Sequence, residues 1–238
     1  MNVVFKTKVT SIIAVTLLIL GGLSGSNQLK AQEIGVSASF FIPKNGYFSA
    51  PISPISFRGF GINITDYLSV ETGVTLYRMS GLNVKSLPFE SKKPLIGPTF
   101  TLLVPLELVL EFGNNDHVFR IKGGGFTFFN FDQKINEGNL DRALIPYTGW
   151  QVANSDFEAD NNIGFGIHFG GEYIFYLKNN FGISMGGYYY IGQAEVNLSG
   201  TITGGDETGI NIMETAFPGS EVDFTGFEIS LGILFSTN

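Results

Sequence analysis

The sequence predicts an all-β fold, one antiparallel up-and-down barrel of eight strands, on three observations. Eight segments alternate apolar and polar residues with a period of two; the connections between them are alternately short and long; and the polar face is built largely of Gly, Ser and Glu. Composition points the same way. The chain has 31 Gly, 23 Phe and 9 Tyr among 238 residues, well above ordinary usage, and beyond residue 31 no apolar run is long enough for a membrane-spanning helix.

The first element is a cleaved signal peptide, residues 1–31. Lys6 and Lys8 precede an apolar run over 9–23, shorter than the ~20 residues of a spanning helix, and Ala31 stands where a signal peptidase cuts, so the mature chain is expected to start at Gln32. Residues 32–238 are then expected to form one barrel domain, with no second domain expected after it. Removing 1–31 takes away three lysines and no acid, which moves the formal charge from −7 to −10 and disfavours a nucleic-acid partner. With no Cys in an exported chain, neither a lipid anchor nor disulfides are expected, and stability must come from packing and backbone pairing.

The strands are expected over 33–42, 55–64, 67–79, 97–112, 117–131, 162–176, 181–198 and 222–236. Residues 65–66, 113–116 and 177–180 make tight turns rich in Asn, Asp and Gly, whereas 43–54, 80–96, 132–161 and 199–221 are long, polar connections. An even strand count with short turns at one end and long loops at the other is the topology of transmembrane barrels of the bacterial outer membrane, with the short turns towards the periplasm.

Alternation alone fits a soluble barrel equally well, so the decision rests on the character of the two faces. In the last strand Phe227, Ile229, Leu231, Ile233 and Phe235 oppose Gly226, Glu228, Ser230 and Gly232; in the sixth, Ile163, Phe165, Ile167 and Phe169 oppose Gly164, Gly166, His168 and Gly170. The polar face is too small to coat an exterior and fits a crowded lumen. Matching inward faces places Tyr190 opposite His168, Tyr188 opposite Gly170, Glu107 opposite Lys122 and Val109 opposite Arg120. Together with Glu71, Glu172 and Glu228, these residues form a lumen network of carboxylates around cations, paired because a lone buried charge is costly. Arg58 falls on the outward phase, which predicts a bulge near Gly59 turning it inwards towards Glu71. Interfacial aromatic belts are expected from Tyr67, Phe112, Phe119, Tyr176, Phe181 and Phe235 at one end, and from Phe40, Tyr77, Phe100, Phe131 and Phe165 at the other.

The segment Leu29-Lys30-Ala31-Gln32-Glu33, the alternating strands and the terminal Gly232-Ile233-Leu234-Phe235 resemble the OmpA-type and PorT-like family of small outer-membrane barrels of gram-negative bacteria. The terminal stretch looks like the signal read by the barrel-assembly machinery, although Ser236, Thr237 and Asn238 follow the aromatic. The resemblance implies membrane insertion and no single activity, since members include anchors, adhesins, secretion accessories, conduits and a few lipid-modifying enzymes.

No catalytic, cofactor or metal site is expected. His117 sits at a tight turn, and His168 is followed two residues later by Gly170, where lipid A deacylases of the PagL kind carry Ser. Asp156, Glu158 and Asp160 could meet calcium but lack a Gly-anchored ligating loop. Tyr147 and Trp150, in the 144–150 stretch of the longest connection, are the candidate external contact residues, either presented to a protein or surface ligand or capping the barrel mouth. Lys85, Lys92 and Lys93 could meet anionic head groups of outer-membrane lipid and lipopolysaccharide. The leading function is therefore a non-enzymatic integral barrel with a structural, surface-binding or secretion-accessory role. A narrow channel or hydrophobic-ligand conduit comes second and a lipid-modifying enzyme third, with a soluble exported barrel last.

Overall fold

A computed structural model describes residues 33–49, 55–178 and 181–236; the expected signal peptide lies outside the described residues. The chain forms β1 (Glu33–Pro43), β2 (Gly46–Ser49), β3 (Ile55–Asn63), β4 (Leu68–Leu82), β5 (Val84–Lys85), β6 (Thr99–Gly113), β7 (His117–Phe131), α1 (Glu137–Thr148), β8 (Val152–Asn161), β9 (Gly164–Lys178), β10 (Phe181–Asp206), β11 (Gly209–Asp223) and β12 (Gly226–Ser236). All strand pairings are antiparallel. Because β12 pairs with both β10 and β1, the pairings β1, β3, β4, β6, β7, β9, β10, β12 lead back to β1.

The sheet has twelve strands among the described residues, not the eight expected. The four additional strands arise inside the connections read as long loops. The largest departure is β10, which runs 26 residues to Asp206 and pairs with β8 on one side and β11 on the other. The Ser199-Gly200 and Gly204-Gly205 pairs read as loop signals in the sequence; here they let a neighbouring backbone come close. A Cβ on Gly200 would lie 2.1 Å from the Asp156 carbonyl oxygen, and one on Gly204 would lie 2.0 Å from that of Val152.

Helix α1 was also read as loop, because Gly138 and Pro146 interrupt it. Its ends are well specified: the Asn136 side chain accepts from the amide of Asn139, and Gly149, in the left-handed region at φ 73°, donates to the Ile145 carbonyl. Asn139, Leu140, Ala143 and Leu144 are its buried residues, and the helix packs on β8.

Two tight turns are closed by side chains. Thr65 Oγ1 accepts from the amides of Tyr67 and Leu68, and Asn114 Oδ1 from those of Asp116 and His117. The second turn spans 114–117 and pairs Gly113 with Val118, so the β6–β7 register differs by two residues from the expected one. Glu107 therefore faces Gly124, Val109 faces Lys122 and Glu111 faces Arg120.

The two faces of the cyclic strands differ sharply. Along β6, Leu106, Leu108, Leu110 and Phe112 are exposed while Leu103, Glu107 and Val109 are buried; β9 exposes Phe165, Ile167 and Phe169 and buries His168 and Glu172. Over the stretches in which these eight strands pair round the cycle, the single charge among the described outward residues is Arg78, whose guanidinium lies 5.8 Å from the centre of the Phe100 ring; Glu195 is exposed further along β10, beyond its pairing with β9 and β12. Where Pro105 interrupts the β4–β6 pairing, the Thr72 hydroxyl donates to the Pro105 carbonyl at 2.6 Å, so this backbone acceptor on a greasy surface is satisfied.

Candidate functional site

Inward-facing residues of the cycle form three stacked layers. The first, near the short turns, begins with Arg120 on β7 and Glu111 on β6, whose Nη2 and Oε2 atoms are 2.7 Å apart. Glu71 on β4 pairs directly with Glu107 on β6, and two like charges in that relation repel unless a cation intervenes. Lys122 from β7 provides it. Its Nζ lies 3.1 Å from Glu71, 3.0 Å from Glu172 on β9 and 3.8 Å from Glu107, and the second oxygen of Glu107 contacts His168 Nε2 at 2.8 Å. Lys122, Glu107 and His168 are all at most 3% exposed. A small cavity of about 70 Å³, lined among others by Glu71, Glu111, Arg120 and Asp66, opens beside this layer at the short-turn end.

The second layer is centred on Arg58 and Glu228. The register of β3 breaks between Arg58 and Phe60, with Gly59 at φ 91°, and this bulge turns Arg58 inwards to 8% exposure. Its partner is Glu228, at 2.8 and 3.1 Å, and not the expected Glu71. The register explains this: Arg58 pairs with Gly35 whereas Glu228 pairs with Phe41, six residues further along β1, so the arginine crosses the lumen diagonally and leaves Glu71 to Lys122. Arg58 also donates to Ser56 and to the Tyr190 hydroxyl and lies over the Tyr188 ring, while the Tyr77 hydroxyl donates to Glu228. Glu228 is completely buried, and these donors satisfy its charge.

The third layer is aromatic. Phe224, in the two-residue connection between β11 and β12, stacks between Phe41 (4.5 Å) and Phe128 (4.6 Å), with Phe126 at 5.9 Å. Glycines make room for the large rings. Tyr190 faces His168 and Tyr188 faces Gly170, as the sequence predicts, and a Cβ on Gly170 would come within 2.6 Å of the Tyr188 ring.

The structure thus brings Glu71, Glu107, Lys122, His168 and Glu172 into one cluster, and places Arg120 with Glu111 and Glu228 with Arg58 beside it. Ser56, Tyr77 and Phe224 were not read as members. Tyr77 was expected in an outer aromatic belt, yet it follows Glu71 and Thr75 on the inward phase of β4 and is fully buried; Tyr176 likewise lies on the inward phase of β9 and packs against Val118, Ile174 and Leu234. Both errors would have been caught by carrying the parity of Glu71 and Glu172 to the strand ends.

Tyr147 and Trp150 are held by packing. Leu144 is fully buried, Tyr147 closes the last turn of α1 with its ring against Phe89 and Phe217, and Trp150 is partly buried against the same core. Asp156, Glu158 and Asp160 share the exposed face of β8, an alternation that is a strand signature, and no group of three metal-ligating side chains gathers among the described residues. His117 contacts the Tyr173 hydroxyl at the turn end, and Lys85 is engaged by Asp223 at 2.8 Å.

No protein-family model matches the chain, and no curated protein does. Among solved structures, the outer membrane protein OprG of Pseudomonas aeruginosa is similar at 13% identity and a TM-score of 0.49, over 85% of this chain and 93% of that one. The attachment invasion locus protein Ail of Yersinia pestis is similar at 10% identity and a TM-score of 0.39, over 85% and 94%. A major outer membrane protein of Thermus thermophilus aligns at 12% identity and a TM-score of 0.41, over 85% and 98%. At this level of similarity the functional reading rests on the chain's own residues.

Proposed function

We propose that the chain is an integral outer-membrane β-barrel protein of a gram-negative bacterium. In this reading the closed cycle of eight strands spans the membrane, the short turns face the periplasm, and the function is non-enzymatic, structural or surface-binding, carried by α1, β8, β11 and the outer part of β10. One observation carries it. Where the eight strands pair round the cycle, their described outward faces hold a single charge, Arg78, while the interior holds paired carboxylates, lysine and arginines, the inverse of a water-soluble barrel. The interior network serves to fill and fix the lumen.

The test is extraction and mobility. The protein should leave membranes only with detergent and should migrate differently on gels before and after boiling; release by carbonate or high salt would refute the reading. N-terminal sequencing of the membrane-extracted protein should begin at Gln32. The lipid-facing surface makes a further prediction: Leu106→Arg, in the middle of β6 where the side chain is 55% exposed, should cost about 2–4 kcal/mol in folding from urea into lipid vesicles. A loss below about 0.5 kcal/mol, typical of an ordinary surface substitution, would show that this face meets water.

A second reading, a narrow cation conduit, is favoured by the polar cavity at the short-turn end and by the five carboxylates (Glu71, Glu107, Glu111, Glu172, Glu228) that face three permanent cations (Arg58, Arg120, Lys122) in the two ionic layers. Planar-bilayer recording separates the two. A closed lumen gives no current steps, and cation-selective steps from the unmodified protein would establish the conduit.

A further inference from the structure

Between α1 and the segment that follows β5 lies an open cavity of about 370 Å³, lined by Glu90, Ser91, Lys92, Lys93, Asn139, Arg142, Ala143 and Pro146. It sits at the end of the molecule away from the short turns. Its size is within the ~300–1,000 Å³ typical of small-molecule sites. The four helical residues are spaced i, i+3, i+4 and i+7, so they present one continuous face of α1 to the cavity.

In a strongly acidic chain this niche gathers three cations and one acid. Among the described residues, Lys92, Lys93 and Arg142 have no carboxylate within ion-pair distance, in contrast to Lys85, Arg58, Arg120 and Lys122, which are all engaged. Arg142 is also positioned. Its Nη1 donates to Asn139 Oδ1 at 3.4 Å, and Asn139, 7% exposed, is itself fixed by donating to the Pro94 carbonyl at 2.8 Å. A guanidinium anchored in this way with two neighbouring ammonium groups suits a phosphate, which accepts hydrogen bonds from all three.

The wall supplies the other half of a recognition site. Pro146 has no N–H, so it cannot give the Arg142 carbonyl the donor that a helix normally provides four residues on. That removes the usual donor to one carbonyl of the cavity-lining helix, and Glu90 adds a carboxylate to the same lining, while the Ser91 hydroxyl is engaged by the Lys93 backbone; carbonyl and carboxylate acceptors are what sugar hydroxyl groups bind. We propose that this niche is a binding site for a phosphorylated saccharide, with Lys92, Lys93 and Arg142 on the phosphate and Glu90 and the Arg142 carbonyl on the sugar hydroxyls.

Such a group is available either as free sugar phosphate or as the phosphorylated core of lipopolysaccharide; the second source rests on the outer-membrane reading. The test uses the whole folded barrel in lipid nanodiscs. Glucose 1-phosphate, titrated calorimetrically into discs free of lipopolysaccharide, should bind at least about tenfold more tightly than glucose. Lys92→Ala/Lys93→Ala/Arg142→Ala should weaken this by on the order of tenfold or more, whereas Lys44→Ala, which removes a cation outside the niche, should leave it unchanged. In discs carrying lipopolysaccharide, competition by the lipid at its phosphorylated core assigns that source; undiminished binding assigns the free sugar phosphate. Equal binding by the triple variant, equal binding of glucose, or no heat released with 10-millimolar-range glucose 1-phosphate (roughly the weakest affinity that signifies a site) overturns the proposal. Heat-modifiable mobility of the same samples keeps these outcomes separate from a failure of membrane insertion.

Discussion

Lys122→Met is expected to lower folding stability by about 3–5 kcal/mol. Lys122 Nζ lies within 3.8 Å of three carboxylates, those of Glu71, Glu107 and Glu172, and Glu71 and Glu107 stand directly opposite each other across β4 and β6. The value of the network as a whole over an apolar filling is small, because burying every one of these charges was costly. Removing the one cation they share is different: the lysine's burial cost is recovered, but the carboxylates stay in place and repel. Urea titration of the protein in lipid vesicles, followed by gel mobility and fluorescence, measures the loss. Adding Glu172→Gln to Lys122→Met should recover part of it, because one of the unpaired charges disappears. A loss under about 1 kcal/mol in the single variant, the size expected of an exposed pair, would mean that water enters the layer and screens it.

That prediction depends on contacts which the sequence showed only in part. Which residues point inwards was legible, because strand parity is fixed by the backbone and every polar residue on the inward phase of the eight segments could be read by counting. Which of them touch was not. The β6–β7 register depended on whether the four-residue turn is 113–116 or 114–117, and Asn114, by capping the amides of Asp116 and His117, selects the second. A shift of two residues keeps every side chain on its face while changing every partner, so Lys122 remains in the network but meets Glu71 and Glu172 more closely than Glu107. The bulge at Gly59 was legible from an arginine on the wrong phase; its partner was not, because Arg58 reaches across the lumen to Glu228 by a stagger that no single pair of strands reveals.

The outer part of the molecule was harder to read for a related reason. In the segments of the closed cycle apolar residues occupy nearly every outward position, so alternation is strong. Beyond them β8 and the end of β10 still set buried Phe157, Val196, Leu198 and Ile202 against a polar face, but Gly200, Gly204 and Ser155 interrupt the apolar side, and α1 carries a proline. Their order comes from packing on one another, with Leu140, Leu144, Phe157 and Phe217 in one core with the aromatic layer of the lumen. The niche at Lys92, Lys93 and Arg142 exists only through that packing, since it joins segments about fifty residues apart.

Phe224→Ala is the second substitution with a large expected effect, about 3–5 kcal/mol, the cost of truncating a buried phenylalanine where the surroundings cannot collapse. The ring is fully buried and stacked on both faces, by Phe41 and Phe128, which belong to β1 and β7, while its backbone amide is tied to the Gly192 carbonyl at 2.9 Å. Strands held by continuous hydrogen bonding cannot close in on the void, so the contacts are lost and not replaced. The void alone should not open the lumen. Below it Arg58 and Glu228 remain bridged, with Tyr77 and Tyr190 bonded to them, and Lys122 still ties three carboxylates beneath that. Phe224→Ala is therefore expected to be less stable but electrically silent in planar bilayers. Adding Arg58→Ser removes the bridge of the second layer and is expected to produce the first current steps. Current from Phe224→Ala alone would place the seal in the aromatic layer and leave the ionic layers permeable, which is the arrangement a cation conduit requires.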